Sequence, residues 1–428
     1  MKKITNPKAD QFSDLVSRPQ KPMDEMNAVI KEVFDRVESE GDQALRYYTE
    51  LYDGITLDSF RVPAQELEDA TLKIALNLKE AIDKAYENIY LFHQAQMPSE
   101  IRVEIQEGIN CWQRPVPIDA VGLYVPGGSA PLFSTILMLA IPAKIAGCKN
   151  IILCTPPDSS GDIPLAVKYA AYKCGVHNVF KVGGSQAIAA MTLGTETIRP
   201  VYKIFGPGNQ YVTAAKMHAF QHGVGIDMPA GPSEVLVFAD STADPAYIAA
   251  DLLSQAEHGQ DSQVVLVTNF KDLIVTVESA IARQLEDLPR KEIAKKALAN
   301  SMLIYCSDVK DAFQLINEYA PEHLILASED ADQYVGLVKN AGSVFIGNYT
   351  PESAGDYASG TNHTLPTAAA ARSFSGVNLD AFFKKITYQK ISQSGLKSLG
   401  PIISTLARAE QLEGHARAVE IRLKKLLK

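Results

Sequence analysis

The sequence predicts two α/β domains with mainly parallel sheets and helical segments at both ends, and three observations carry this. Nine short β-rich runs alternate with alanine-rich helical stretches between residues 121 and 346. Each run ends in glycine or a polar turn, as strands covered by helices on both faces do. Hydrophobic residues make up 46% of the 428, with 27 Gly and 23 Pro, which is material for two or three domains. A disordered or fibrous chain is excluded.

The start, Met1-Lys2-Lys3-Ile4-Thr5-Asn6-Pro7, has no apolar signal core, and residues 1–22 form a short N-terminal segment. From 23 to about 96, Val29, Ile30, Val33, Phe34 and Val37 recur at three- and four-residue spacing, which predicts amphipathic helices. This helical segment, taken as 23–118, is expected to pack with the second α/β domain. Beyond Arg114-Pro115-Val116-Pro117 come the runs 121–125, 151–154, 179–182, 204–205, 235–238, 264–267, 302–305, 324–326 and 344–346. Pro and Gly in Asp227-Met228-Pro229-Ala230-Gly231-Pro232-Ser233 mark a break, so the first domain is placed at 119–235 and the second at 236–379. Residues 380–428 show no strand pattern. From Pro401 they read as one long helix with Ile402, Leu406, Leu412, Val419, Leu423 and Leu426 on its apolar side. Such an arm packs on another subunit or folds back on its own domain, and periodicity does not choose.

Charged residues are 21% of the chain, and 50 acidic against 41 basic side chains give a net charge of −9 with no basic stripe. No nucleic-acid partner is expected. The most apolar run, residues 136–141, is interrupted by Pro142 and Lys144, well short of the roughly 18 residues of a membrane span. Five cysteines (Cys111, Cys148, Cys154, Cys174, Cys306) form no CxxC pair, which fits reduced thiols and a cytoplasmic location.

Three glycine turns follow strands of the first half: Tyr124-Val125-Pro126-Gly127-Gly128, Val182-Gly183-Gly184-Ser185-Gln186 and Phe205-Gly206-Pro207-Gly208-Asn209-Gln210-Tyr211. Glycine at a strand-to-helix junction lets backbone N–H groups approach a phosphate. None is a complete GxGxxG, because Tyr211 stands where the last glycine belongs. An ordinary tight turn accounts for any one of them; three on one sheet edge point to a nucleotide site.

Of eight histidines, four stand in unusual polar company. Gln255 and His258 are three apart and share a face if helical, suiting metal ligation, although His-Gly is also a common helix ending. In Pro321-Glu322-His323 an acid and an imidazole precede a buried-looking strand, a rigid mounting for acid–base work or a chance pair. The turn-rich stretch 348–367 presents Asp356 and His363 from a functional loop or a mobile lid. His415 lies three after Leu412 and four before Val419, so periodicity alone makes it a packed histidine. Spacing does not join these places into one site.

Taken together in order, Tyr124-Val125-Pro126-Gly127-Gly128, Phe205-Gly206-Pro207-Gly208-Asn209, Asp227-Met228-Pro229-Ala230-Gly231-Pro232-Ser233-Glu234, Gln255-Ala256-Glu257-His258, Pro321-Glu322-His323 and Gly360-Thr361-Asn362-His363 resemble the histidinol dehydrogenase family over nearly the whole chain. The resemblance implies two incomplete Rossmann-like, doubly wound domains, with NAD on the first and zinc with the catalytic residues on the second. It implies oxidation of L-histidinol to L-histidine through L-histidinal, two NAD being reduced, in a homodimer whose 380–428 arm completes shared sites. By the same resemblance Gln255, His258, Asp356 and His415 match the ligands of one zinc per subunit, His415 coming from the partner. Glu322 and His323 match the catalytic pair, and Ser233, His363 and Glu410 match further substrate contacts. Tyr124, Gln186 and Asn209 match NAD contacts.

These residue types suit that chemistry. Zinc would orient the substrate's nitrogens, His323 would take the alcohol proton as hydride leaves, and Glu322 would activate water against the aldehyde. Cys111 and Cys148 are disfavoured as covalent nucleophiles, since both lie in apolar or strand-like sequence without a nearby His. Two rivals are a zinc hydrolase acting on a small nitrogenous substrate, which has no use for three glycine turns, and a non-catalytic binding protein, which needs no Glu322-His323 pair.

Overall fold

The computed structural model describes residues 1–18, 23–127, 132–228 and 231–426. Gly128 of the first glycine turn and Pro229 and Ala230 of the proline-glycine break lie outside the described residues. In chain order the strands are β1 (Lys2–Thr5), β2 (Ile101–Gln106), β3 (Ile109–Pro117), β4 (Ala120–Tyr124), β5 (Asn150–Thr155), β6 (Asn178–Lys181) and β7 (Lys203–Phe205). They continue as β8 (Gly225–Ile226), β9 (Glu234–Ala239), β10 (Gln263–Thr268), β11 (Met302–Tyr305), β12 (His323–Ala327), β13 (Ser343–Ile346) and β14 (Phe383–Ile391). Each of the nine runs read from sequence is a strand. Their signal is strong because parallel strands buried on both faces are continuous in apolar residues: every residue of β4, β9, β10 and β12 is buried.

Two compact units make up the chain. The larger comprises 1–96 and 119–381, the smaller 97–118 and 382–428. The larger holds both parallel sheets. One is five-stranded in the order β6-β5-β4-β7-β8; the other is six-stranded in the order β1-β11-β10-β9-β12-β13. In the second, alternation splits the core: Val235, Val237 and Ala239 pack on one face, Leu236 and Phe238 on the other. The chain reverses strand order between β4 and β7 and again between β9 and β12, where α/β sheets open a crevice.

The segment 23–118 departs from expectation in two ways. Its helices Met23–Glu40 and Asp42–Asp53 pack on the five-stranded sheet's domain, not the second: Ile30, Val33, Phe34 and Val37 share a core with Ala187, Met191 and Val212. A stripe reports that a helix is amphipathic but not which surface covers it. Helix Leu76–Gln94 also reaches forward, Asn88 Nδ2 donating to the Ala358 carbonyl at 2.8 Å and His93 lying 3.3 Å from the Asn362 amide. Residues 101–106 and 109–117 are strands, not helix.

The smaller unit corrects the reading of the C-terminal segment. β14 pairs antiparallel with β3, and β3 with β2. β14 escaped notice because none of its nine residues is fully buried, so Lys384, Lys385 and Lys390 interrupt its apolar pattern. The helix read from Pro401 is two, Gln393–Ala409 and Glu413–Leu426, broken where Gln411 takes φ +62°. They close against each other where Gly400 leaves no room for a Cβ beside Val419 and Leu423. Arg408 ties the break by ion pairs to Glu413 at 3.1 Å and Glu420 at 2.8 Å. His415 is therefore exposed, and Ala416 is the packed residue of its turn.

Candidate active site

A cleft in the larger unit is lined by the turn after β7 (Pro207, Gly208, Asn209, Gln210), by Pro126, and by Ser233, Gln255, His258, Glu322, His323, Asp356 and His363. The five-stranded sheet presents its carboxyl end to this cleft, as the crevice rule requires. The six-stranded sheet presents its amino end: Ser233 precedes β9 and His323 opens β12. Gln255 and His258 reach the same edge because helix Pro245–Ala256 runs back from the far end of β9.

The backbone of Glu234 mounts the acid–imidazole pair. Its N–H donates to Glu322 Oε2 at 2.8 Å, and its carbonyl accepts from His323 Nδ1 at 3.0 Å. A carbonyl only accepts, so Nδ1 carries the hydrogen. Nε2 is then left buried without a hydrogen bond, 3.4 Å from Asp356 Oδ1. Burial by itself would lower the pKa of His323, but Glu322 and Asp356 outweigh it and hold the pKa well above the ordinary imidazole value.

Asp356 lies in the short helix Glu352–Tyr357, within the stretch read as a loop. Burial opposes its charge, yet contacts with His323 and Glu352 hold its pKa below the usual carboxylate range. His363 Nδ1 donates to the Asp356 carbonyl at 2.8 Å, its Nε2 faces Thr135 Oγ1 at 3.1 Å, and burial lowers its pKa.

Glu352 was missed in the sequence. It is 1% exposed, accepts from Ser254 Oγ at 2.5 Å and from Gln255 Nε2, and its pKa is pushed up to about 8 by burial and by the neighbouring Asp356. Among the described residues, His323, Glu352 and Asp356 are a group whose ligand atoms lie within 4.8 Å of one another. The available signal was the four-residue spacing of Glu352 and Asp356 after Pro351, which puts both on one face of a helix.

Of the residues matched to zinc, Gln255, His258 and Asp356 come together in the cleft, whereas His415 belongs to the smaller unit, as does the substrate-matched Glu410, both exposed. An imidazole, a carboxylate and the Gln255 Oε1, which is buried without a partner, are a donor set that suits zinc. The NAD-matched residues divide. Asn209 lines the cleft, but its Oδ1 caps helix Gln210–Gln221 by accepting from the N–H groups of Tyr211 and Val212. Tyr124 and Gln186 are not in the cleft lining. The Tyr124 hydroxyl accepts from the Gly184 N–H at 3.0 Å, and Gln186 Oε1 is buried without a partner at the start of the same helix. Gly206, at φ +131°, has no room for a Cβ beside the Tyr124 carbonyl, so the turns after β4 and β7 approach as only glycine permits. Cys148 is buried and its thiol is pushed up to about 12, which keeps it out of nucleophilic work.

Two reversing parallel sheets, glycine turns and a mounted acid–imidazole pair define an α/β dehydrogenase. The model of the family described as histidinol dehydrogenase matches residues 16–423. A histidinol dehydrogenase of Bacteroides fragilis is 51% identical over 428 residues, covering 100% of both chains. The protein named histidinol dehydrogenase, chloroplastic, of Arabidopsis thaliana is 52% identical over 97% of this chain and 90% of its own. A crystal structure of histidinol dehydrogenase from Elizabethkingia anophelis superposes with a TM-score of 0.96 at 50% identity, covering 100% of this chain and 99% of that one. The chain belongs to the histidinol dehydrogenase family. It is an NAD-dependent oxidoreductase of histidine biosynthesis. No helix among the described residues is long and apolar enough to cross a membrane.

Proposed function

We propose that this cleft carries out both half-reactions, L-histidinol to L-histidinal and L-histidinal to L-histidine, each with one NAD as hydride acceptor. The observation that carries the reading is the Glu234 mounting, which holds Glu322 and His323 from the backbone of one residue and leaves His323 Nε2 without a hydrogen bond. Zinc, held by Gln255, His258, Asp356 and the partner subunit's His415, would supply a fixed site for the imidazole and amino nitrogens of the substrate. Ser233, His363 and the arm's Glu410 would complete the substrate contacts, with Tyr124, Gln186 and Asn209 on the NAD side.

In the first step the neutral His323, from which a cation held by Asp356 would withdraw that carboxylate's pull, takes the hydroxyl proton at Nε2 while hydride leaves the carbinol carbon. The carboxylate of Glu322 stabilises the imidazolium so formed. In the second step Glu322 takes a proton from water as it adds to the aldehyde, and the His323 imidazolium gives its proton to the aldehyde oxygen, so that the hydrate forms. His323, neutral again, takes a hydroxyl proton from the hydrate as the second hydride leaves, and the product is the carboxylate. The overall reaction yields two NADH per substrate. Absorbance of NADH formed from limiting L-histidinol with zinc-loaded protein tests it: two per substrate is expected, and none would return the zinc-hydrolase reading.

The cytoplasm and a homodimer are part of the same proposal. Ile402, Leu406 and Leu412 of the arm are 54%, 62% and 44% exposed, an apolar face that a second copy would cover. If His415 completes the partner's site, H415A and H323N co-refolded will recover roughly a quarter of wild-type activity, because half the dimers are mixed and each has one intact site. No recovery in demonstrably mixed dimers would place His415 in its own subunit's site.

A further inference from the structure

We infer that Glu352 is a positioning residue that sets the Gln255 amide with its oxygen toward the bound cation. This rests on the zinc reading above. The Gln255 amide meets Glu352 by its Nε2 edge, donating to Oε1, while the other oxygen of Glu352 already accepts from Ser254 Oγ. The rest follows from planarity: Oε1 is turned the other way, and there it is buried with no partner in the protein. Flipping the amide would give up this bond in a dry site, Gln255 and Glu352 each being 1% exposed. A glutamine ligates hard or borderline cations only through its oxygen, so without this lock half of its orientations present the wrong atom.

Glu352 is itself held on three sides. Its second oxygen accepts from Ser254 Oγ at 2.5 Å. Its backbone N–H, the first of helix Glu352–Tyr357, faces the Asp251 carboxylate. Asp251, Ser254 and Gln255 sit on the last turns of one helix, so a single helix grips Glu352 and receives its orientation of Gln255 in return.

Competition against a chromogenic zinc chelator tests the assignment, with circular dichroism as the fold control. E352A is expected to bind zinc roughly 10- to 100-fold more weakly, the usual cost of losing an outer hydrogen-bond partner. E352Q, whose amide oxygen still accepts from Gln255 Nε2, is expected within about threefold of wild type. The double variant Q255A/E352A is expected to bind no more weakly than Q255A, because Glu352 acts through Gln255. The visible spectrum of the cobalt-substituted protein should change in E352A and be restored in E352Q. If E352A does not fold, E352D withdraws the carboxylate by one methylene and carries the same expectation. Unchanged zinc affinity in E352A overturns the inference. So does equal loss in E352Q and E352A, which would make Glu352 a direct ligand, and so does an additive double variant. H258A separates the two layers: loss of zinc there with no effect at Glu352 overturns only the positioning role, whereas zinc binding indifferent to H258A overturns the site and the inference together.

Discussion

E322Q will oxidise L-histidinol to the aldehyde far better than it oxidises the aldehyde to the acid. The amide keeps the size of the carboxyl and can still accept the Glu234 N–H, so the mounting at 2.8 Å survives and His323 stays in place. What is lost is the ability to take a proton from water, a contribution of about 10²–10⁴ in rate where a positioned base is used. The alcohol step asks for no water and should fall by roughly an order of magnitude at most, through loss of the carboxylate beside the imidazolium. Single-turnover NADH formation started from histidinol, and separately from histidinal, reads the two steps. Equal loss in both would remove Glu322 from the water-activating role.

R18M should cost about 3–5 kcal/mol of stability, the usual penalty for leaving a buried charge without its partner. Arg18 grips Glu234 with two bonds of 3.0 Å, donates to the Tyr319 carbonyl at 2.6 Å and lies 3.8 Å over the Tyr319 ring. Its side chain is 8% exposed and that of Glu234 2%. Burial raises the pKa of Glu234 even with Arg18 present, and removing the guanidinium raises it further. A carboxyl whose folded pKa lies above its unfolded one binds more protons when folded, so it destabilises at neutral pH and is relieved on acidification. The stability gap between variant and wild type should therefore narrow as pH falls through the raised Glu234 pKa. Denaturant melts at several pH values check this. A gap constant with pH would mean that the lost packing on Tyr319, not the stranded charge, sets the cost. R18M/E234M should recover much of the stability and keep the mounting of the catalytic pair, which uses only the backbone N–H and carbonyl of residue 234.

The two predictions meet at one residue that sequence reasoning passed over. Glu234 appeared only as the end of a motif, yet its backbone N–H and carbonyl hold Glu322 and His323 and its side chain anchors the N-terminal segment. Backbone mountings of this kind leave no trace in residue type. Glu352 was overlooked for another reason: one acid in a turn-rich stretch has no periodic signal until the short helix is known to form.

Where side chains meet water, the reading faltered for a common cause. β14 and the break at Gln411 lie in exposed elements whose apolar pattern is weak, and the helices of 23–96 carry a stripe that matches either domain. By contrast the nine parallel strands were legible because burial on both faces leaves only apolar residues acceptable. So too were the chemical identities, since an imidazole for proton transfer, a carboxylate for water and oxygen or nitrogen donors for zinc are demanded by the reaction itself. What the order of residues by itself determined is thus the α/β class, the glycine turns and the family's set of reactive groups. Only the tertiary structure decided that the second sheet offers its amino end to the cleft, that the backbone of one residue holds both catalytic side chains, and that a buried acid turns Gln255. Those depend on groups 88 to 97 residues apart being brought within 3 Å by strand pairing and helix packing, a relation that local pattern does not encode.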